Sequence, residues 1–503
     1  MRNKGEIKRK LLHNSSGITL VALVVTIVIL IILAVISINI VFGEDGMIGQ
    51  AEKTKEHQAN AELADNEKLG MLDNSIKEYM NGNNNNTGYI DNELITSPKV
   101  SEGMIPVYWN GSNWIKTTIE DNKWYNYTNK EWANVVLGDA TFNEDVLDES
   151  KPYSQLVWIP RFAYKITSGW HSSNTGTIDV VFVGTDNKSK DGTLYNGTYS
   201  EATSGITQGG AMKNYVVDPA FDYGTTKLKG FWVGKYESSH TGCTMDLGTG
   251  QATFTGDEVM QVKANVTSWR NITIGDAFTK CVNMNQTNNP YGLFASDSVV
   301  DPHMIKNTEW GAVAYLSKSK YGKETEEVYL NNSMTYITGN AANTPDAAEI
   351  SGVANAYHTL EGQKASTTGN IYGIYDMSGG NWERVAAYVN NGHENLQTYG
   401  KNLVDAESKY KEVYEQGTSD TQELNYVKAA IKYGDAVYET SNGYSSTSAS
   451  WYSDYANFVS DAYPFVGRGG GYDGTSAAGI FFFGRTGGYT NNGNGFRLSM
   501  AIL

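Results

Sequence analysis

Cysteine is nearly absent. Cys243 and Cys281 are the only two in 503 residues, and no Cys-x-x-Cys spacing occurs, which excludes zinc-ribbon and thioredoxin-type chemistry. One disulfide or two thiols both remain open for the pair. Histidine is sparse too. The seven residues, at 13, 57, 171, 240, 303, 358 and 393, include no i, i+4 pair for a metal. The Asp- and Asn-rich loops lack EF-hand spacing, so the metal content is unknown, no cofactor is expected and structural calcium has no motif behind it. Basic residues are outnumbered, 39 against 55, for a formal net charge of −16. No basic stripe is interleaved with aromatics, which excludes a nucleic-acid partner. Proline numbers only 9, whereas glycine reaches 53, tyrosine 33 and tryptophan 11. That balance describes an ordered, turn-rich chain of an extracellular type, long enough for two to four domains.

Long hydrophobic runs are absent except for one. A basic leader, residues 1–17, holds Arg2, Lys4, Lys8, Arg9 and Lys10 against Glu6. Residues 18–42 are then apolar for long enough to span a bilayer as one helix. The basic flank predicts a cytoplasmic N-terminus, a single-pass membrane location and an extracellular C-terminal domain. Leu69, Leu72, Ile76 and Tyr79 repeat at helical spacing within 43–80, a predicted amphipathic stalk helix. Residues 81–88, Asn-rich and polar, form a linker.

The charged leader ending at Gly17, followed by Ile18-Thr19-Leu20-Val21 and an unbroken apolar helix, resembles type IV prepilins and pseudopilins. The resemblance implies cleavage between Gly17 and Ile18, pilin-type subunits as partners and a place in a pilus-like filament. At the fifth mature position, where the family carries Glu, this chain has Ala22.

Residues 89–152 carry Trp109, Trp114, Trp124 and Trp132 between turn residues. Alternation over Ile105–Trp109 with Asn110-Gly111 predicts short hairpins. These tryptophans could present an aromatic surface to sugar rings; the preferred reading is that they pack a small β module. Residues 153–503 then hold several spaced motifs: Val157-Trp158-Ile159-Pro160, the strand Gly230–Glu237, the helix Asn307–Leu316 capped at Asn307 or Thr308, Gly373–Glu383, and a closing Arg468-Gly469-Gly470 with Gly495-Phe496-Arg497. In that order they resemble the formylglycine-generating enzyme (sulfatase-modifying factor) family, which implies an irregular C-type lectin-like domain. The expected fold class is therefore α+β: a transmembrane and stalk helix, a small β module and this domain. Leu403, Ala406, Tyr410 and Val413, then Leu424, Val427 and Ile431, predict a helical hairpin inserted at 395–440.

The oxidases of that family need a cysteine near the C-terminus. The corresponding positions are Phe482, Phe483, Gly484 and Arg485, with no cysteine after Cys281. Phenylalanine cannot replace a thiolate, so no catalytic residue is expected and the chain reads as a non-enzyme. Asp376 and Glu383 are expected to hydrogen-bond within loops, and His303 beside Asp301 to cap a turn.

The stretch from Arg468 to Arg497 combines a glycine-framed apolar run, Ile480–Phe483, with Tyr, Asn, Asp, Ser and Gly in irregular order. It fits either a Gly-rich hairpin or a recognition loop. Between its Arg-Gly-Gly and Phe-Arg ends it resembles the variable proteins of diversity-generating retroelements. The resemblance implies a fixed frame of Gly469, Gly470, Ala478, Gly479, Phe481, Phe483, Phe496 and Arg497. Its implied ligand-binding positions are Tyr472, Asp473, Ser476, Tyr489, Asn491, Asn492 and Asn494. Strand alternation adds Phe482, expected on the exposed side, and Arg485 is expected to join it with Tyr472 and Tyr489 in an aromatic and Arg cluster of hot-spot type. The function expected is a pilin-like surface adhesin or receptor that binds a cell-surface protein or glycan. An extracytoplasmic enzyme of the sulfatase-modifying type and a minor pseudopilin with an assembly role are the alternatives.

Overall fold

The computed structural model describes residues 28–29, 89–90, 95–138, 141–244, 258–285, 299–351 and 355–503. The leader, the Gly17–Ile18 junction, the stalk and the linker lie outside the described residues, as does the apolar run apart from Val28 and Ile29. Among the described residues no helix is long and apolar enough to cross a membrane; the longest, Asn307–Ser317, has 11 residues, about half of what a span requires. The expected single-pass membrane location is therefore withdrawn. The expected α+β class is corrected as well. The described residues are mostly β, with 30% strand and 19% helix, and no stalk helix is supported among them.

Two sheets organise residues 84–503. The first has nine strands: β1 (Met104–Trp109), β2 (Trp114–Lys116), β3 (Asn134–Leu137), β4 (Phe142–Asn143), β5 (Val146–Leu147), β6 (Ser154–Pro160), β7 (Gly230–Gly234), β8 (Val300–Met304) and, last in the chain, Leu498–Ile502. All pairings are antiparallel, and the C-terminal strand lies between β8 and β7. The Trp-rich strands β1 to β5 thus continue the sheet that β6 and β7 begin. Trp114, Trp124 and Trp132 are buried, packing rather than displaying their rings. The β1–β2 turn forms where expected: Gly111 takes φ +100, and the Asn110 carboxamide oxygen accepts from the Ser112 and Asn113 amides.

The second sheet contains β9 (Trp382–Asn390), β10 (Glu412–Glu415), β11 (Ser445–Ser446), β12 (Ala456–Asn457), β13 (Phe465–Gly469), β14 (Gly479–Thr486) and β15 (Asn494–Phe496). Its order is β10-β9-β13-β14-β12-β11, with β15 pairing β9 in parallel. The expected helical hairpin at 395–440 is replaced by short helices and the strand β10. Val413 lies in β10 because the edge of β9 offers a parallel ladder, Tyr388 opposite Val413. Only Gln422–Lys428 keeps two helical turns.

Helix α1 (Asn307–Ser317) is buried along its whole length, so it has no polar stripe. Its cap is one residue earlier than expected. The Glu309 carboxylate reaches back to the Lys306 amide at 2.9 Å, closing the first turn. Trp310 donates its indole N–H to the Ile480 carbonyl at 2.9 Å, which ties α1 to β14.

Arg497 alone separates β15 in one sheet from the C-terminal strand in the other, and it is fully buried. Its guanidinium grips Glu383 in two places, Nε to Oε2 at 2.9 Å and Nη2 to Oε1, and also donates to the Gly234 and Tyr375 carbonyls. Asp376 and Glu237 complete the cluster. Asp376 accepts from the Asn331 side chain and the Gly339 amide, and Glu237 from the Asn381 amide. Burial pushes all three carboxyls above their ordinary range. Asp376 and Glu383 therefore serve the junction of the sheets, a longer-range task than loop bonding. His303 is likewise more than a turn cap: it is buried, with Nε2 2.8 Å from Glu309 Oε1.

Candidate functional site

Six of the nine candidate residues lie on two loops, 470–478 and 487–493, that leave opposite ends of β14; Phe482 and Arg485 lie in β14 itself and Asn494 in β15. The structure brings the loops to one short turn, Gly380–Trp382. The Tyr472 amide donates to the Gly380 carbonyl at 2.9 Å, and the Trp382 amide donates to the Gly493 carbonyl at 2.9 Å. The frame under the loops is buried throughout: Gly469, Gly470, Ala478, Gly479, Phe481, Phe483, Phe496 and Arg497. Gly470 is one position where only glycine fits. It has φ +77, and a Cβ there would meet Ala478 at 2.6 Å.

Above the frame the candidates separate by exposure. Asp473, Ser476, Tyr489 and Asn491 are exposed, and Tyr472 and Asn492 are partly buried. Asn494 is buried and belongs to β15, opposite Trp382. Its side chain is thus part of the frame.

Phe482 requires a correction. Alternation does turn it away from Phe481 and Phe483, which join the main core while Phe482 does not. It is nonetheless only 2% exposed. Trp382 meets it edge-on with ring centroids 5.1 Å apart, and the tilted ring of Tyr455 lies 6.0 Å away. Gly484 makes room for this row, since a Cβ there would stand 3.0 Å from Phe482 and 3.2 Å from Trp382. Trp382 and Tyr455 remain partly open to solvent. They add two partly exposed rings to this face, and Phe482 is their support.

Arg485 also differs from expectation. It shares the face of Phe481 and Phe483, donates to Ser460 Oγ at 2.7 Å and stacks over Tyr463 at 5.0 Å. It therefore does not join Phe482 in one cluster. Tyr489 packs against Tyr399 at 5.8 Å, and its carbonyl accepts from buried Arg384.

A second group was not foreseen. Tyr472 meets Tyr336 edge-on at 4.9 Å. Arg270 lies over the Tyr336 ring at 4.0 Å and donates to Asn492 Oδ1 at 2.6 Å. One loop is thus linked to the other through two tyrosines and an arginine. Burial pushes the Tyr336 and Tyr472 hydroxyls above their ordinary range, so both stay protonated and able to donate at neutral pH. Trp382 was visible as part of a motif, but nothing in the sequence joins Arg270, Tyr336 or Tyr455 to this face.

Cys243 and Cys281 are both thiols. Among the described residues no group of three or more His, Cys, Asp or Glu is placed to hold a metal ion. Chemically the face offers edge-packed aromatic rings, amides, hydroxyls and one guanidinium, which suits recognition by stacking and hydrogen bonding.

No family model matches the chain and no curated protein does, so neither the pilin-like nor the sulfatase-modifying resemblance gains support. Among solved structures the chain is similar to Treponema denticola variable protein 1, with 13% identity, a TM-score of 0.26, and coverage of 69% of this chain and 98% of that one.

Proposed function

We propose that the chain is a non-enzymatic binding protein. It captures a protein or glycan partner on the face formed by loops 470–478 and 487–493, with Trp382 and Tyr455 beside them. The observation that carries this reading is the division of one stretch by burial. Gly, Phe and Arg at the frame positions are packed away, while Tyr, Asp, Ser and Asn stand at the loop tips over a scaffold fixed by other parts of the chain. A rigid frame under adaptable polar and aromatic tips is the arrangement recognition surfaces use. Phe482 and Phe483, at the positions of the missing oxidase cysteine, are both occupied in packing, which favours binding over oxidation. The loop tips are also the positions that adenine-directed mutagenesis would vary without unfolding the frame.

The test has two arms. The flanking DNA should hold a near-copy of the 3′ end with adenines in the codons for Tyr472, Ser476, Tyr489 and Asn491, beside a reverse-transcriptase gene. Independently, a library randomised at those four codons should yield folded binders to unrelated proteins. Libraries that mostly fail to fold would overturn the reading.

A further inference from the structure

A cleft of about 720 Å³, separate from the loop face, opens at the Trp-rich end of the nine-stranded sheet. That volume lies within the range of small-molecule sites. Its aromatic side is Trp109, at the end of β1, with Tyr357 meeting it edge-on at 6.4 Å. Its polar side is the β4–β5 hairpin and the residues after it, which bring Glu144, Asp148 and Glu149 to the same space.

Two features separate this cleft from a solvated acidic surface. First, its walls are already fixed. The Trp109 amide is held by the Tyr372 hydroxyl at 3.1 Å. Tyr357 donates its hydroxyl to Glu149. The Ser150 amide and hydroxyl hold Asp148 Oδ1, at 3.0 and 2.5 Å, which keeps that carboxyl below its ordinary range and therefore charged at neutral pH. Second, the carboxylates lack a close cationic partner within the lining, where His358 is the one basic side chain, although the Lys151 and Lys263 ammoniums lie near enough to favour the charged form of Asp148. No lysine or arginine lines the cleft, and among the described residues none of the three carboxylates forms an ion pair. The nearby Lys263 spends its ammonium on the backbone carbonyls of Glu149 and Lys151, at 2.8 Å each. An aromatic face opposite charged carboxylates is the chemistry that attracts an organic cation.

We propose that this cleft is a binding site for an amine or methylated ammonium group carried by a small ligand. The ammonium lies over the Trp109 ring while Glu144, Asp148 and Glu149 supply the opposing charge.

The experiment titrates the full chain with choline, with 1,4-diaminobutane and with glucose as a neutral polyol, followed by calorimetry. Choline or the diamine should bind, and more weakly as salt rises. Glu144→Gln with Asp148→Asn should weaken that binding by about fivefold, the scale of an exposed ion pair, and Trp109→Ala by a similar factor. The Asp148→Asn change leaves a carboxamide oxygen to accept from Ser150, so the carboxylate variants decide the matter if Trp109→Ala does not fold. Binding of glucose but not of either amine would overturn the proposal. So would amine binding that the two carboxylate substitutions leave unchanged, or no binding of either amine.

Discussion

The two faces of β14 differ by one residue of alternation and yet do different work. Phe481 and Phe483 enter the main core, the first against Trp451 at 5.1 Å and the second against Phe458 and Tyr426. Phe482, between them, faces a thin aromatic layer whose outer members, Trp382 and Tyr455, still meet solvent. One face holds the protein together; the other gives the loops a stiff floor. The comparison shows how a surface can be exposed at its tips and rigid beneath them, which lowers the ordering cost of binding.

The sharpest way to break the frame is at the junction of the sheets. Arg497→Ala would leave the fully buried Glu383 without its cation and strip two carbonyls of their donor. Breaking a buried pair from one side costs about 3–5 kcal/mol, and chemical denaturation should show a loss on that scale or no folded protein. Phe481→Ala and Phe483→Ala should each cost about 3–5 kcal/mol through the cavity they leave. Phe482→Ala, cushioned by rings that can settle toward the gap, should cost less than either. Equal losses at all three positions would erase the distinction between the faces.

Acidity offers a test that needs no mutation. Glu439 is buried, and burial raises its pKa to about 7 despite bonds from Tyr164, Tyr315 and the Gly434 amide. Asp218 and Asp435 near it are raised for the same reason. The folded state therefore keeps protons that the unfolded chain releases at ordinary carboxyl values. Such groups stabilise fully below the unfolded pKa and lose their contribution as pH rises toward 7. For Glu439 alone the scale is roughly 3 kcal/mol. Denaturant midpoints should fall between pH 5 and pH 8, and Glu439→Gln should flatten that slope.

Part of this was legible in the sequence. The glycine-framed run of Ile480–Phe483 identified a strand, and alternation placed Phe481 and Phe483 on the core side. The frame residues that the resemblance to variable proteins implies are all buried. What could not be read was whatever depends on partners distant in the chain. Phe482 is expected outside because its covering rings come from elsewhere in the chain, Trp382 from β9 and Tyr455 from the residue before β12. Val413 carries helical spacing, but an open edge on β9 makes it a strand, a tertiary preference that local pattern does not contain. Arg485 is the exception: alternation, followed two residues past Phe483, already puts it on the face of Phe481 and Phe483, and only its partners there, Ser460 and Tyr463, come from distant sequence.

The smallest expected effect on stability is the one on which the binding face depends. Tyr472 rests on Tyr336, so Tyr472→Ala should cost about 1 kcal/mol, the scale of one edge-packed ring pair. Asp473, Ser476 and Asn491 stand further out, and each is exposed. Asn491 still offers its side-chain oxygen to the Gly493 amide at 2.7 Å, a contact that Asn491→Asp preserves. Replacing Asp473 and Ser476 by Ala together with Asn491→Asp should therefore shift unfolding by about 0.5 kcal/mol or less, since none of the three changes reaches the frame. If these residues form the face, the same triple variant should lose most of its affinity for any partner selected against the parent chain. Retained affinity would move the binding surface away from the loop tips. A large loss of stability would mean that the tips belong to the frame, and the contrast between the two faces of β14 would not extend to the loops it carries.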